Sequence, residues 1–271
     1  MIGITGASGI LGRALLSNLR DMGVDVLPIH RSSRSDSKYF WDLKDPIPPS
    51  FSDFDLIIHC AFSFSDARKD NLSKVGTNLI GARQLASWGA AKGVRIINLS
   101  SVTAASVETK YGLEKRKIEE IMDSCNHINL RLGVIDSSPP IGIVARYLNS
   151  PEIAPKIFLN YGTKYWVSNL NDVTNFLHSL CLENKAMPDN SIYLVNEKQE
   201  SLPDLIRRAA PNKILFALGV PCDVLIPIVK LFKKFVVSLE PLYDQIIGVK
   251  TYKSSGVGQI EFGWKRVKEI Y

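Results

Sequence analysis

Short apolar runs alternate with longer amphipathic patterns over the first 130 residues of the chain. The apolar runs are Met1–Ile4, Val24–Ile29, Leu56–Cys60, Arg95–Leu99 and Ile128–Leu130. The helical patterns between them are Gly12–Met22, Ser73–Lys92 and Tyr111–Ser124. Strands and helices that alternate in this way are typical of βαβ units, so the pattern predicts an α/β fold with a doubly wound parallel sheet.

A sheet of this kind binds its ligands at the carboxyl ends of the strands. The segments expected at that edge are Thr5–Gly12, His30–Arg34, Ala61–Ser65 and Ser100–Thr103. Residues that suit a ligand are therefore expected in these four segments.

Three glycines follow the first strand at intervals of three residues: Gly6, Gly9 and Gly12. Glycine allows a sharp turn and a close approach of a pyrophosphate, and the start of the next helix offers free N–H groups and a positive dipole end. The segment therefore predicts a phosphate cradle. The spacing differs from the Gly-x-Gly-x-x-Gly of many dehydrogenases, so a glycine-rich turn of an ordinary α/β protein is the alternative.

The second strand ends in a segment that carries Arg31 and Arg34 and no acidic residue. Asp or Glu usually binds the ribose 2′-hydroxyl of NAD at this place, whereas Arg suits the 2′-phosphate of NADP. The sequence therefore favours NADP(H), and NAD(H) is the other possibility. Solvated loop charges are the alternative interpretation of the two arginines. Asp42 is the next acidic residue, and it can accept a hydrogen bond from an adenine amino group.

The fourth strand ends at Ser100 and Ser101, and Tyr111 and Lys115 follow about ten residues later. Residues four apart share a face of a helix, so the tyrosine and the lysine point the same way. A nearby ammonium lowers the pKa of a phenol, which suits the tyrosine for proton transfer, and a serine hydroxyl can hold the reacting oxygen. The alternative interpretation is that Tyr111 and Lys115 are an ordinary exposed pair on a helix without a role in proton transfer.

Composition and charge exclude several other classes of protein. The 271 residues are 45% hydrophobic and 22% charged, an ordinary globular mixture. A net charge of +6 suits anionic small molecules as readily as nucleic acid, and no interleaving of aromatic and basic residues supports a nucleic-acid partner. The four cysteines and four histidines are scattered, which predicts buried thiols in a reducing cytoplasm and no metal site. His59 is expected to be a core or strand-end residue.

The sequence shows no sign of a membrane span or of a signal peptide. No apolar run reaches the roughly 18 residues that a span needs, and the N-terminal residues lack a charged n-region. We therefore expect a cytoplasmic protein without an integral membrane segment. The segment 222–236 combines apolar residues at helical spacing with three lysines. It is interpreted as an amphipathic helix over a small lobe, with a membrane-surface or partner helix as the alternative.

Together these motifs resemble the extended short-chain dehydrogenases/reductases of the NAD-dependent epimerase/dehydratase family, which includes sugar-nucleotide enzymes. The matching pieces are Thr5–Gly12, Asp42, Ile58–Ala61, Asn78, Leu99–Ser101, Tyr111–Lys115, Leu130–Gly133, Trp166–Val173 and Phe262–Lys265. The resemblance and the looser pattern after Arg131 predict a Rossmann-type dinucleotide-binding domain over residues 1–135, with 166–182 packing back on it. Residues 136–165 and 183–271 are expected to form a small, discontinuous C-terminal substrate lobe.

The resemblance also implies which residues bind the cofactor. The pyrophosphate is expected against the cradle residues Gly6, Ser8, Gly9, Ile10, Leu11 and Gly12. Arg31 is expected at the 2′-phosphate and Asp42 at the adenine, and Ala61 at the end of the third strand belongs to the same site. Lys115 is expected to hold the nicotinamide ribose.

The implied catalytic residues are Ser101, Tyr111 and Lys115. Tyr111 acts as the general acid/base, Ser101 orients the substrate oxygen, and Lys115 lowers the pKa of Tyr111. The implied function is an NAD(P)-dependent oxidoreductase or epimerase that acts on a nucleotide-activated sugar. Because NADPH is the usual reductant, keto-sugar reduction in cell-surface polysaccharide biosynthesis is favoured.

The sequence departs from the family between Ser101 and Tyr111, where the gap is short. The loop that usually closes over the sugar is therefore expected to be trimmed. This departure motivates the alternative, a catalytically silent NAD(P)-binding regulatory protein of the same fold. Helices such as 76–92 and Tyr111–Ser124 often form dimer contacts in the family, so a homodimer is also expected.

Overall fold

The computed structural model describes residues 1–31, 38–64, 76–105, 109–149, 156–159, 164–182, 191–195, 199–211 and 217–220. The strands are β1 (Ile2–Thr5), β2 (Val26–Ile29), β3 (Leu56–His59), β4 (Arg95–Ser101), β5 (His127–Leu132), β6 (Val134–Asp136), β7 (Lys156–Leu159), β8 (Lys164–Tyr165), β9 (Val167–Asn169), β10 (Ser191–Leu194), β11 (Glu200–Ser201) and β12 (Ala217–Val220). The helices are α1 (Ile10–Asp21), α2 (Thr77–Lys92), α3 (Lys110–Met122), α4 (Gly142–Leu148), α5 (Leu170–Leu182) and α6 (Leu202–Ala209). The predicted helix at 222–236, the motif Phe262–Lys265 and Arg34 lie outside the described residues.

Six strands form one parallel sheet in the order β10-β5-β4-β3-β1-β2. The inner strands are buried on both faces: all four residues of β3 are buried, as are all six of β5. A strand buried on both faces needs a helix layer on each side, which is what the βαβ connections supply. The predicted doubly wound α/β fold is confirmed.

Helices cover both faces of this sheet. On one face α1 and α5 bury Leu15, Leu19, Phe176 and Leu177 against the strands. On the other face α2 and α3 pack against the sheet, together with the aromatic residues of the 39–54 segment. Burial of a large apolar side chain is worth about 1.5–3 kcal/mol, so these two cores supply much of the driving force for folding.

The strand order reverses at β1, which lies between β2 and β3. From β1 the chain moves outward to β2 and then returns past β1 to β3. The two connections therefore leave a crevice beyond the carboxyl ends of β1 and β3, the usual ligand-binding place of such sheets. Thr5 and His59 are paired in register at this end, so the segments that follow them lie side by side.

The described residues after Gly133 form three small two-stranded pairings: β6 with β9, β7 with β12, and β8 with β11. Helices α4 and α6 pack together around a small apolar cluster that includes Val144, Leu205 and Ile206. The division of the chain into a nucleotide-binding domain and a substrate lobe stays a prediction.

One strand lies elsewhere than expected. Ser191–Leu194 was assigned to the lobe by the sequence pattern, but it pairs in parallel with β5 at the edge of the main sheet. Ile192 is buried there in the same apolar core as α1 and α5. A four-residue apolar run does not itself specify which sheet edge it will pair with, and the unpaired edge of β5 provides the partner.

Among the helices of the described ranges, none has both the length and the apolar character that a membrane span requires.

Candidate active site

The glycine segment forms a tight turn between β1 and α1. Gly6 has a φ of +67°, and its carbonyl oxygen accepts a hydrogen bond from Gly9 N at 2.8 Å. Gly9 is the N-cap of α1 and makes no side-chain cap, so no N-cap side chain occupies the first N–H groups of the helix. These groups and the positive end of the helix dipole suit an anionic ligand.

Close packing explains why glycine is required in the turn. A Cβ at Gly12 would lie 2.3 Å from the oxygen of Gly6, and a Cβ at Gly6 would lie 2.8 Å from Ala61 Cα. A Cβ at Gly9 would meet the oxygen of Gly6 at 3.0 Å. The turn therefore fits the cradle of a dinucleotide pyrophosphate, with Ala61 of the neighbouring strand end directly behind it.

The remaining cradle residues surround the start of α1. Ser8 and Ile10 are exposed, with Ile10 65% exposed, and Leu11 is half-buried. Arg13 donates from Nη2 to the oxygen of Ser8 at 3.0 Å. An exposed isoleucine beside free helix N–H groups provides an apolar contact next to the anion site.

The ends of β1 and β3 are tied together by side-chain hydrogen bonds. Thr5 Oγ1 accepts from Ala61 N at 3.2 Å and shares a 2.9 Å hydrogen bond with His59 Nδ1. Burial first, and then the charge of Lys115, lowers the pKa of His59 to about 3, so this imidazole stays neutral. His59 is thus a buried residue bonded within the sheet, as the sequence predicts.

Arg31 and Asp42 each follow one of two segments that are bridged at the end of β2. The chain returns beside this strand end, where His30 N donates to the oxygen of Tyr39 and Trp41 N donates to the oxygen of His30. Arg31 is exposed just beyond this bridge, and Asp42 is half-buried. Lys44 N donates to Asp42 Oδ1 at 3.1 Å, which orients the carboxylate. Both residues therefore lie at the edge where an adenosine would extend from the cradle.

Ser101, Tyr111 and Lys115 also meet at the carboxyl edge of the sheet. Ser101 is the last residue of β4, and Thr109 begins α3 by accepting a hydrogen bond from Gly112 N at 2.9 Å. This N-cap places Tyr111 in the first turn, where its hydroxyl shares a hydrogen bond with the side chain of Ser101. Lys115 Nζ lies 5.9 Å from the centroid of the Tyr111 ring.

The Ser101 hydroxyl is oriented by Thr103. Ser101 Oγ accepts from Thr103 Oγ1 at 2.9 Å and from Thr103 N at 3.3 Å. Because two donors already occupy its acceptor sites, the Ser101 hydrogen is directed to the oxygen of Tyr111. The sequence analysis placed Thr103 at this edge but gave it no role, although a second hydroxyl two residues after Ser101 is a visible signal.

Lys115 is buried and its ammonium has two partners. Nζ donates to the oxygen of Leu99 at 2.9 Å and lies 4.5 Å from the centroid of the Phe62 ring. Burial lowers the pKa of Lys115 to about 8, against the opposing effect of nearby acidic groups. One of these groups, Glu119, forms a buried ion pair with Arg131 and accepts from Ser100 Oγ at 2.6 Å.

Two phenylalanines enclose Tyr111, and the sequence interpretation missed both. The Phe62 ring meets Tyr111 edge-on at a centroid distance of 5.3 Å, and the Phe64 ring stacks on it at 5.9 Å with an interplanar angle of 17°. The signal was present in the alternation of Phe62 and Phe64 directly after the third strand, because residues two apart in an extended segment point the same way.

The expected lowering of the pKa of Tyr111 is not what the structure shows. Burial raises the pKa of Tyr111 to about 12, the hydrogen bond with Ser101 lowers it, and the charge of Glu114 raises it further. The rings of Phe62 and Phe64 remove water from the phenol, and desolvation disfavours the phenolate. The free-energy cost of desolvating the phenolate is larger than the stabilisation that the hydrogen bond with Ser101 provides.

We expect Lys115→Met to stabilise the folded protein at pH 7 by about 3 kcal/mol, since one pKa unit corresponds to about 1.4 kcal/mol. Burial takes the pKa of Lys115 from 10.5 to about 8, so the charged form is disfavoured in the folded state. Between about pH 8 and pH 10.5 the Lys115 side chain is protonated to a greater extent in the unfolded chain than in the folded protein. The stability of the wild type therefore rises with pH relative to the variant, and the difference vanishes above pH 10.5.

Urea unfolding across this pH range measures the difference. Lys117→Met, which removes an exposed lysine from the same helix, is the matched control and should show no such pH-dependent gain. A Lys115→Met protein that is less stable than the wild type at pH 7 would show that the contacts of Nζ outweigh its desolvation.

Within the described ranges, no group of three or more His, Cys, Asp or Glu side chains is arranged to hold a metal ion. Cys60, Cys125 and Cys181 are free thiols.

The sheet order, the glycine turn and the meeting of Ser101, Tyr111 and Lys115 define a protein of the short-chain dehydrogenase/reductase fold. Residues 2–127 match the model of the NAD dependent epimerase/dehydratase family. The resemblance predicted from the sequence motifs is confirmed there. A comparison with curated protein sequences gives no match.

Solved structures with the same fold include several nucleotide-binding enzymes. The Bordetella bronchiseptica enzyme WbmG in complex with NAD and UDP is 18% identical, with a TM-score of 0.64 over 81% of this chain and 80% of that one. The UDP-glucose 4-epimerase of Thermus thermophilus in complex with NAD is 16% identical, with a TM-score of 0.63 over 81% and 86%. A short-chain dehydrogenase/reductase superfamily protein from Agrobacterium tumefaciens with bound NAD is 16% identical, with a TM-score of 0.61 over 96% and 99%. At these identities the likeness establishes the fold.

Proposed function

We propose that the chain is an NAD(P)-dependent enzyme that acts on a nucleotide-activated sugar, with Ser101, Tyr111 and Lys115 as its catalytic residues. The observation that carries the proposal is the meeting of these three side chains beside the glycine cradle. The family match supports the same class, and neighbours of the same fold were solved with NAD and with UDP. Among the reactions of that family, keto-sugar reduction is the one we favour, and a role in cell-surface polysaccharide biosynthesis is part of the proposal.

The dinucleotide would be held by the N–H groups of the cradle, by Arg31 and Asp42 at the adenosine, and by Lys115 at the nicotinamide ribose. When bound, the nicotinamide exchanges a hydride with the substrate carbon. The structure fits such a ligand because the cradle turn leaves no room for a Cβ at Gly6 or Gly12.

The side chains of the site account for the movement of the proton. A pKa of about 12 keeps Tyr111 as a phenol at neutral pH, the form that donates a proton to the oxygen of a keto sugar. The resulting phenolate is stabilised by the Ser101 hydrogen bond and by the Lys115 ammonium. In the oxidative direction the phenolate accepts the hydroxyl proton, which requires the pKa of Tyr111 to fall. The phenol state therefore supports reduction as the favoured direction.

Turnover tests this proposal against its alternative. The protein is incubated with NADH or NADPH and a panel of UDP- and dTDP-linked keto sugars, and oxidation of the dinucleotide is followed by absorbance. A catalytically silent dinucleotide-binding regulator is the second candidate, and the short interval between Ser101 and Tyr111 in the sequence supports it. Tight dinucleotide binding without turnover of any sugar would favour that candidate.

Arg31→Ala is expected to lower the affinity for NADPH about tenfold and to leave the affinity for NADH unchanged, since a charge-assisted hydrogen bond contributes roughly 1.5–3 kcal/mol. This prediction rests on the proposal that Arg31 binds the 2′-phosphate, so that the wild type prefers NADPH. Calorimetric titration with both dinucleotides measures the preference. Arg83→Ala, an exposed arginine on α2, is the control. An equal loss for both dinucleotides, or none, would contradict the assignment.

A further inference from the structure

The backbone after β3 is held rigidly beside the candidate active site. Asn78 on α2 accepts from Ser63 N at 2.7 Å and donates to the oxygen of Ser63 at 3.1 Å, so one amide satisfies both backbone groups of that residue. The same amide nitrogen donates to Glu114 on α3 at 3.1 Å. Ser63 and Asn78 are both buried. These hydrogen bonds fix the backbone at Ser63 against α2.

This clamp fixes the two phenylalanines on either side of Ser63. Phe62 is half-buried under the Lys115 ammonium, whereas Phe64 is 57% exposed. The Phe64 ring contacts Phe62 edge-on at a centroid distance of 5.0 Å and stacks on Tyr111. A large aromatic surface is thus exposed next to the hydroxyl that is expected to transfer the proton, and it is held by contacts that restrict its rotamers.

The charges around this surface restrict what can bind to it. The Lys115 ammonium is buried and already bonded to the oxygen of Leu99. The Glu114 carboxylate lies close enough to Tyr111 to act on its charge state. A negative group on the substrate would be repelled by Glu114, whereas the negative face of a phenyl ring attracts weakly positive C–H groups.

We propose that Phe64 binds the apolar C–H face of the substrate sugar ring by stacking and that Glu114 disfavours a negative group beside it, so that the site prefers nucleotide-activated deoxysugars to hexuronic acids. This proposal rests on the proposed function, because it assigns the sugar of the same site. Phe64 positions the ring against Tyr111, and its role is in binding, not in proton transfer.

The test uses the NADPH-loaded protein and two probes that differ at one carbon, UDP-6-deoxyglucose and UDP-glucuronic acid, with UDP alone as a reference ligand. Calorimetry gives the dissociation constant of each probe for the wild type, Phe64→Ala, Phe64→Leu and Phe64→Tyr. The wild type should bind the deoxysugar about tenfold more tightly than the uronic acid, and Phe64→Ala should weaken deoxysugar binding about fivefold, as expected for the loss of one aromatic contact. Binding of UDP alone should not change.

Matched variants separate stacking from hydrophobicity. Phe64→Tyr keeps the ring and should bind UDP-6-deoxyglucose as tightly as the wild type, whereas Phe64→Leu keeps the apolar volume and should lose most of the contribution of Phe64 to that affinity. Leu182→Ala removes a residue that is 68% exposed at the end of α5 and should have no effect. Because Phe64 is exposed, all three Phe64 variants should fold, which circular dichroism checks.

The outcomes distinguish this inference from the proposed function. If the wild type turns over nucleotide sugars but Phe64→Ala binds UDP-6-deoxyglucose as tightly as the wild type does, only the assignment of Phe64 is overturned. If the wild type binds UDP-glucuronic acid more tightly than UDP-6-deoxyglucose, the argument that Glu114 repels a negative group on the substrate is overturned. If neither UDP-sugar binds and no keto sugar is turned over, the proposed function fails together with the inference.

Discussion

Tyr111→Phe is expected to lower the turnover of keto sugars about 1,000-fold, because a positioned general acid typically contributes 10²–10⁴-fold. The substitution removes only the hydroxyl that shares a hydrogen bond with Ser101. The phenyl ring remains, so its contacts with Phe62 and Phe64 are kept. The dinucleotide affinity should therefore stay within about twofold of the wild type, and the loss should fall on kcat.

The matched control for this variant is Tyr39→Phe. Tyr39 is buried and, like Tyr111, is bonded through its hydroxyl, which donates to Asp53 Oδ2 at 2.9 Å, but it lies away from the carboxyl edge of β4. Steady-state kinetics and dinucleotide titration of both variants measure the effect. Full turnover by Tyr111→Phe would exclude the proton-transfer role, and a comparable loss in Tyr39→Phe would point to a general loss of structure.

Gly6→Ala is expected to weaken dinucleotide binding about 100-fold, which corresponds to about 2.8 kcal/mol. The new Cβ would lie 2.8 Å from Ala61 Cα and Ala61 N, which are backbone atoms at the end of β3. Either the turn or the strand end must move, and both form the cradle. The φ of +67° adds about 1–2 kcal/mol of strain for any residue with a Cβ.

Gly93→Ala separates these two causes. Gly93 has the same φ of +67°, but a Cβ there meets no atom within 4 Å. Gly93→Ala should therefore show the strain as a modest loss of stability, with dinucleotide affinity unchanged. Thermal unfolding and calorimetric titration of the two variants make the comparison. Equal affinities for both variants would mean that the close approach of Ala61 does not shape the dinucleotide site.

The arrangement of charge in the site follows from the fold. The face of the sheet under α2 and α3 carries a buried polar series, in which Asn98 Nδ2 donates to Asn129 Oδ1 at 2.8 Å and Glu119 pairs with Arg131. Removing one partner of a buried ion pair leaves an uncompensated charge, which is strongly destabilising. Because Glu119 is paired with Arg131, Lys115 remains directed to Leu99 and Tyr111 instead of forming a salt bridge within its own helix.

Local patterns in the chain were sufficient to predict the alternation of strands and helices, the glycine turn and the shared face of Tyr111 and Lys115. Each of these depends on residues within a few positions of one another, through the periods of strand and helix and the steric freedom of glycine. The site residues expected at the carboxyl edge could be placed because parallel strands end at one edge. For this reason the predicted cradle and the predicted catalytic residues meet in the structure.

Other properties depend on segments that meet only in the folded chain. The pKa of Tyr111 is raised because Phe62 and Phe64, nearly fifty residues earlier, cover its phenol. Ser191–Leu194 joins the main sheet because β5 offers it an unpaired edge. Desolvation and edge pairing are set by what lies next to a group in space, and the spacing of residues along the chain does not encode these neighbours. The direction of the tyrosine's pKa shift and the aromatic surface at the site therefore became visible only from the packing of the folded chain.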